Sequence, residues 1–150
     1  MLNDQAIASN YLIDNNLAKR VMIVDLDVHQ GDGTASIFEH QDSVFTISFH
    51  GQKNYPFKKQ NSDFDLPFDD NTEDRVYLNA LENHLPRLVD LVEPDFMFYL
   101  AGVDVLKTDK LGRLGLSMAG CKARDRFVLR LCKNQNIPVQ VSMGGGYSVH

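Results

Sequence analysis

The sequence predicts an α/β protein of three layers, in which a mostly parallel sheet carries helices on both of its faces. Short apolar runs, which are typical of buried strands, alternate along the chain with segments of helical periodicity, and this alternation is the pattern of βαβ units. Three of the predicted strands run directly into polar and glycine residues, as expected where ligands bind at the carboxyl ends of parallel strands. With 150 residues and 43% hydrophobic composition, the chain is long enough to form one domain with a core.

The first part of the chain contains two predicted helices and two predicted strands. Residues 4–18 carry apolar side chains at helical spacing, and Asp4 is placed to cap the helix start. Residues 21–24 are apolar without interruption, which is typical of a strand that is buried on both faces. A short helix is predicted from Asp32 to Phe38, and a second strand over residues 44–49.

The middle of the chain predicts a long loop followed by a long helix. Residues 50–71 are polar and contain glycine and proline, and a loop of this length in a domain is usually functional or disordered. Residues 71–74 place a capping residue before acidic residues, which favours the start of a helix. Pro86 is expected to kink or restart this helix, because proline removes a backbone hydrogen bond and collides with the preceding turn.

The last part of the chain predicts a strand, a helix and a strand. The strands are predicted over residues 96–100 and 138–142, and the helix begins at Ser117. Both cysteines, Cys121 and Cys132, lie in this helix at a spacing that is not typical of a metal site. They predict reduced thiols in a cytoplasmic protein.

The net charge excludes some classes of partner. At −5, it argues against a surface that neutralises nucleic-acid phosphates. The apolar runs are shorter than a membrane span, and the N-terminus does not show a basic segment followed by an apolar one. We therefore expect a protein that binds neither nucleic acid nor a membrane.

The residues after the first strand are suited to binding a divalent metal. Asp27 and His29 stand two residues apart in extended backbone, so their side chains project to the same side. A carboxylate and an imidazole are zinc ligands, and catalytic zinc usually takes three protein ligands. The alternative is a strand end capped by turn-forming Asp and Gly. The third strand runs into residues 101–109 and the fourth into residues 144–147, and this convergence favours the metal site.

Three motifs at these strand ends resemble the downstream motifs of the zinc-dependent histone deacetylases. They are Asp25-Leu-Asp-Val-His-Gln-Gly-Asp-Gly-Thr34, Ala101-Gly-Val-Asp104 with Asp109-Lys-Leu-Gly112, and Gly144-Gly-Gly-Tyr147. The resemblance runs from about residue 3 to residue 147 and implies the arginase/deacetylase fold. Gln30 and Tyr55-Pro56 make the chain most similar to the class IV branch and its bacterial relatives.

The resemblance implies a role for each matching residue at the zinc. Asp27, His29 and Asp109 match the three zinc ligands, which leaves a fourth position for water or a substrate carbonyl. Tyr147 matches the tyrosine that donates a hydrogen bond to the oxyanion formed at the acetyl carbonyl. Two alternatives stay open, since Asp109 also suits a solvated turn and Tyr147 an ordinary strand end.

Further site residues follow from the same resemblance. Asp25 and Asp32 match the acids that each orient one histidine of a catalytic pair, although Asp32 also suits a helix cap. A monovalent cation, usually potassium, is implied at the backbone carbonyls of Asp25, Asp27, His29, Ser48 and Phe49. The substrate tunnel is implied at Tyr55, Pro56, Phe57, Leu116 and Gly145, and its expected occupant is an acetylated lysine peptide or a small acetylamide.

One departure from the family limits the expected activity. The family's paired histidines, which supply the general base and acid, lie upstream of the segment that matches Asn3-Asp4. Residues 1–150 are therefore interpreted as a single partial domain with impaired turnover, which self-associates through exposed sheet edges. The alternatives are a non-catalytic remnant or binding protein with the same fold, and an arginase-like hydrolase. The last is disfavoured because a two-metal site needs more Asp and His ligands.

Overall fold

The structure, a computed structural model, describes residues 2–148. Its helices are α1 (Asp4–Asp14), α2 (Asp32–Phe38), α3 (Asp74–Val92) and α4 (Met118–Asn134). Its strands are β1 (Val21–Asp25), β2 (Val44–Gly51), β3 (Phe64–Phe68), β4 (Phe96–Leu100) and β5 (Val139–Ser142). They form one parallel sheet in the order β3-β2-β1-β4-β5, which confirms the predicted α/β class.

Helices cover both faces of the sheet, because the central strand β1 is apolar on both of its sides. Val21 and Ile23 pack in one cluster with residues of α1 and α2, including Ala6 and Phe38. Met22 and Val24, which alternate with Val21 and Ile23 along β1, pack in a larger cluster on the opposite face. That cluster includes Tyr77, Leu81, Leu85 and Val89 of α3 and Cys121, Val128 and Cys132 of α4. The three predicted layers are present.

The first helix and the long loop differ from their predictions. The first helix ends at Asp14, before the predicted residue 18, and its cap is Asn3 in place of Asp4, since the Asn3 side chain accepts from the amide of Ala6. The predicted loop over residues 50–71 contains the strand β3. Phe64, Leu66 and Phe68 alternate with Asp65 and Pro67, and a proline is tolerated in an edge strand.

The helix α3 continues through Pro86 over its full length from Asp74 to Val92. The carbonyl deprived of its partner belongs to Glu82, an exposed residue that water can reach. Buried side chains on either side of the proline, Leu85 and Val89, hold the helix to the sheet. Packing therefore outweighs the local cost, and the predicted restart is not found.

The carboxyl ends of the central strands meet at one edge of the sheet. Asp25 of β1 pairs with Ser48 of β2 and with Leu100 of β4, and Leu100 pairs with Ser142 of β5. The segments that follow these strands therefore start side by side. Among residues 2–148, no helix has both the length and the apolar composition needed to cross a membrane.

Candidate metal centre

Three side chains converge where β1 and β4 end. Asp27, His29 and Asp104 each place a potential ligand atom within 4.8 Å of the other two. The Nδ1 atom of His29 lies 3.0 Å from Asp27 Oδ1 and 3.1 Å from Asp104 Oδ2. Asp104 is 0% exposed and Asp27 is 7% exposed, so the cluster lies below the surface at the edge of the sheet.

Carboxylates also hold the backbone that carries these side chains. Asp25 Oδ1 accepts from the amide of Asp27 at 3.0 Å, and Asp27 Oδ1 accepts from the amide of His29 at 2.9 Å. Asp104 Oδ1 accepts from the amide of Val28 at 2.9 Å, which ties the end of β4 to the end of β1. The acids therefore set the path of the turn as well as the charge of the site.

Glycines allow two further backbone segments to approach the carboxylates closely. The amide of Gly145 donates to Asp27 Oδ2 at 2.6 Å, and its carbonyl accepts from the amide of Val103 at 2.7 Å. A Cβ atom on Gly145 would collide with the carboxylate of Asp104, and one on Gly102 would collide with that of Asp27. A side chain at either position would force the cluster apart.

The cluster concentrates negative charge around one imidazole. Burial raises the pKa of Asp25 well above its usual range, and the neighbouring Asp27 raises it further. Burial raises the pKa of Asp27, but its hydrogen bonds with His29, the amide of Gly145 and Asp104 together lower it. Contacts with Asp104 and Asp27 raise the pKa of His29 to about 10. The same negative charge would favour a bound cation, and a metal ion would displace the imidazole proton.

Asp109, the predicted third ligand, lies beside this cluster and is not one of its three members. Its Oδ1 atom accepts from the amides of Leu111 and Gly112, and its Oδ2 atom accepts from the amide of Tyr147 at 2.6 Å. The amide of Gly145, which binds Asp27, is only two residues away, or at most about 7 Å of extended chain. Asp27 and Asp109 are thus bound to one short segment, and the assignment of Asp109 as a ligand stays a prediction.

The other predicted site residues surround the same edge. Tyr147 is 47% exposed. Asp32 begins α2, where its Oδ1 atom accepts from the amide of Gly33. Ser48 and Phe49 lie at the carboxyl end of β2, buried, with Ser48 paired to Asp25. The catalytic roles and the monovalent-cation site remain predictions.

A cleft of about 270 Å³ opens next to His29. Tyr55 and Phe57 stand on its rim, with their rings edge to face at a centroid distance of 6.2 Å. Pro56, between them, is buried. The lining residues are His29, Lys53, Asn54, Tyr55, Phe57, Leu111 and Arg113.

Three predicted tunnel residues do not line this cleft: Leu116, Gly145 and the buried Pro56. Leu116 is buried in the main core, and Gly145 lies against the carboxylates of Asp27 and Asp104. Their assignment to the tunnel stays a prediction.

Two residues of this region, Asp104 and Arg124, had no predicted role. Asp104 lies in a motif that was identified, but only the fold brings its carboxylate to His29. Arg124 of α4 is fully buried beneath the strand ends. The sequence feature that could have identified Arg124 is its place on the buried face of α4, which it shares with Cys121 and Val128. A charged residue is unusual on such a face.

Comparisons with known proteins agree with the three motifs. The sequence profile described as the histone deacetylase domain matches residues 1–150. An uncharacterized protein of Picosynechococcus sp. is 47% identical over 148 residues, which cover 99% of this chain and 49% of that protein. Histone deacetylase 2 of Arabidopsis thaliana is 33% identical over 131 residues, which cover 85% of this chain and 34% of that protein.

Solved structures agree with the fold. A histone deacetylase homologue crystallised in complex with SAHA superposes with a TM-score of 0.83 at 26% identity, over 97% of this chain and 41% of that chain. The chain thus spans a third to a half of the length of the proteins that it matches.

Proposed function

Because this chain belongs to the histone deacetylase family, we propose that it is the metal-binding part of a zinc-dependent deacetylase. The proposed reaction is hydrolysis of the amide bond in an acetylated or acylated lysine, or in a related small acetylamide. The observation that carries the proposal is the cluster of Asp27, His29 and Asp104, whose His29 lines the cleft together with Tyr55 and Phe57.

The donor atoms of the cluster fit zinc, which binds carboxylate oxygen and imidazole nitrogen. We assign Asp27, His29 and Asp109 as ligands and Asp104 as the acid that orients the imidazole of His29. The 3.1 Å contact between Asp104 and His29 supports the second role, because ligating histidines are usually oriented by a carboxylate or carbonyl partner. When bound, a zinc ion supplies Lewis acidity to a carbonyl oxygen and to water.

Tyr147 is assigned as the donor to the oxyanion that develops at the acyl carbonyl. Its backbone amide donates to Asp109 Oδ2 at 2.6 Å, so its side chain starts next to an assigned ligand. Gly145, two residues earlier, donates to Asp27. Together, these two hydrogen bonds attach the glycine-rich segment to Asp27 and Asp109. They support a fixed position for the backbone that carries the Tyr147 phenol.

The cleft supports a narrow, mainly apolar substrate group. Its volume is about 270 Å³, and the apolar Tyr55, Phe57 and Leu111 line it together with His29. The aliphatic stem of a lysine can pack between such side chains, and removal of its charge by acylation lowers the cost of entering the cleft. The acyl-lysine class therefore suits this site.

A second candidate function is binding of an acylated ligand without turnover, which the positions of the histidines favour. Within residues 2–148, His29 is the only histidine of the cluster, and it is assigned as a ligand. His50 is buried between Ser48 and Asp65 and faces a separate pocket beside Gln30. Because a general base contributes roughly 10²- to 10⁴-fold in rate, this chain by itself is expected to hydrolyse its substrate slowly.

The test combines metal analysis with an assay of acetate release from an acetyl-lysine peptide. We expect one zinc per chain and slow hydrolysis. Asp27→Ala should abolish both, whereas Tyr147→Phe should retain zinc and lower the remaining rate by about 10²- to 10³-fold. A longer polypeptide that supplies the family's histidine pair should be faster by about 10²- to 10⁴-fold. Failure to bind zinc would overturn the proposal, and zinc and peptide binding without any hydrolysis in either form would favour the second function.

A further inference from the structure

Arg124 is a buried arginine of α4 to which the proposed chemistry gives no part. Its side chain is 0% exposed. A guanidinium group is costly to bury unless its hydrogen bonds are satisfied in a defined geometry. The hydrogen bonds that Arg124 makes show which part of the backbone it holds in place.

One nitrogen of the guanidinium group links the two strands that carry the candidate ligands. Nη1 donates to the carbonyl of Leu26 at 3.0 Å and to the carbonyl of Gly102 at 2.7 Å. The parallel pairing of β1 and β4 ends at Asp25 and Leu100, so both carbonyls lie beyond the last paired residues. Arg124 therefore extends the connection between the strands past the end of the ladder.

Both carbonyls belong to residues next to the metal cluster. Leu26 directly precedes Asp27 in the chain, and Gly102 packs so closely on the Asp27 carboxylate that a Cβ atom would collide with it. Gly102 is also two residues before Asp104. The distance between the two carbonyls thus governs the distance between the Asp27 and Asp104 backbones.

The guanidinium group is itself held in one orientation. Nε donates to Asp125 Oδ1 at 2.9 Å, and Nη2 lies 2.9 Å from the same oxygen as an ion-pair contact, without a hydrogen bond of its own among the described residues. The hydroxyl of Tyr99 donates to that oxygen at 2.6 Å. An arginine that is fixed at one end by Asp125 and at the other by two carbonyls can set a distance, which a flexible side chain cannot.

We propose that Arg124 is a positioning residue for the metal centre: it holds the ends of β1 and β4 at the separation that the zinc ligands require. The proposal rests on the proposed function for the identity of the metal. Within residues 2–148, Arg124 makes no hydrogen bond to the side chains of the assigned ligands and does not line the cleft, so it acts through the backbone at Leu26 and Gly102.

The experiment compares Arg124→Met and Arg124→Lys with the unsubstituted chain. Zinc affinity is measured by competition with a chelator, and the geometry of the site by the visible spectrum of the Co²⁺-substituted chain. Both variants should weaken zinc binding at least tenfold, in line with the effect of residues that orient ligands, and should alter the Co²⁺ spectrum. Lysine restores the charge but not the planar fork, so it should not restore affinity.

Two control variants on the same helix separate positioning from stability. Val128→Ala removes a fully buried side chain and should lower stability while zinc affinity stays within threefold of the unsubstituted chain. Arg126→Met removes an exposed arginine and should change neither. The proposal is overturned when both Arg124 variants keep zinc affinity within threefold, or when Val128→Ala weakens it equally.

Amide hydrogen exchange without metal tests the same proposal independently of zinc. In Arg124→Met, exchange should speed up selectively over residues 26–29 and 102–104, relative to Val128→Ala of matched stability. A uniform increase along the chain would overturn the positioning role. Failure of the unsubstituted chain to bind zinc would overturn the proposed function, and the exchange pattern would then decide the role of Arg124.

Discussion

At the scale of single residues, the carboxylates of Asp104 and Asp109 differ in what they contact. Asp104 is buried against His29 and the amide of Val28, whereas Asp109 binds amides of its own loop and of Tyr147. The first environment suits an acid that orients a ligand, and the second suits an acid that lies beside the cluster. The two roles predict different sensitivities of zinc binding to substitution.

We expect Asp109→Asn to weaken zinc binding by about 100-fold or more, because a ligand loses its charge. Asp104→Asn should weaken it by about 10-fold, the lower end of the effect of an orienting residue. Chelator competition measures both, with Glu39→Gln as the control, since Glu39 is an exposed acid at the end of α2. The reverse order would make Asp104 the third ligand and leave Asp109 as a loop residue.

At the scale of elements, one exposed carboxylate ties the connection between α1 and β1 to the start of β4. Asp95 Oδ2 accepts from the amides of Lys19 at 2.7 Å and Arg20 at 2.9 Å, and the amide of Asp95 donates to the carbonyl of Arg20. The bonds from Arg20 and Lys19 lower the pKa of Asp95. By binding these backbone amides, the Asp95 side chain helps to align the starts of the neighbouring strands β1 and β4.

These hydrogen bonds of Asp95 predict that part of the free energy of unfolding is lost in acid. Because its pKa is lower in the folded state, Asp95 stabilises the fold above its unfolded pKa of about 3.9, and this contribution disappears as the pH falls through the folded value. Asp95→Asn should therefore lower the free energy of unfolding at pH 7 and reduce its decline below pH 4. Urea titrations between pH 3 and 7 measure this.

The control for Asp95 is Asp42→Asn, which replaces an exposed acid in the turn before β2. It should leave the pH profile of the unfolding free energy unchanged. An equal decline below pH 4 in the Asp95→Asn variant and the unsubstituted chain would show that the tie contributes nothing.

At the scale of the whole molecule, the two edges of the sheet differ. The outer strand β3 contains Pro67, which lacks an amide hydrogen and discourages further pairing. Within residues 2–148, β5 has a strand neighbour on one side only. It carries no charged residue, and Val141 is 48% exposed. This edge is suited to pairing with another polypeptide.

We expect the chain to self-associate through the β5 edge at moderate concentration, because unpaired strand groups and apolar surface favour pairing. Val141→Lys should shift the mass measured by light scattering toward the monomer. Leu91→Lys, which changes a 73% exposed leucine on α3, should not. A monomer at all concentrations before substitution would contradict this prediction.

Much of the architecture could be predicted from the sequence, because the elements on which it depends are local. The uninterrupted apolar run at the start of β1 predicts a strand covered on both faces, and two clusters of side chains do cover it. The helix over Asp32–Phe38 and the strand over Phe96–Leu100 have their predicted bounds. The strand β3 was missed because its place is decided by pairing with β2, which outweighs the proline within it.

The candidate site was likewise predictable from the sequence only in part. The sequence by itself determined the family and the candidate pair Asp27 and His29, because two metal-binding side chain types stand two residues apart directly after an apolar strand. Only the tertiary structure decided that Asp104 reaches His29, 75 residues away in the chain. It also decided that Arg124 binds Leu26, 98 residues away. Such contacts depend on how parallel strands align their ends and which helix packs beneath them, and no local pattern of residues encodes that alignment.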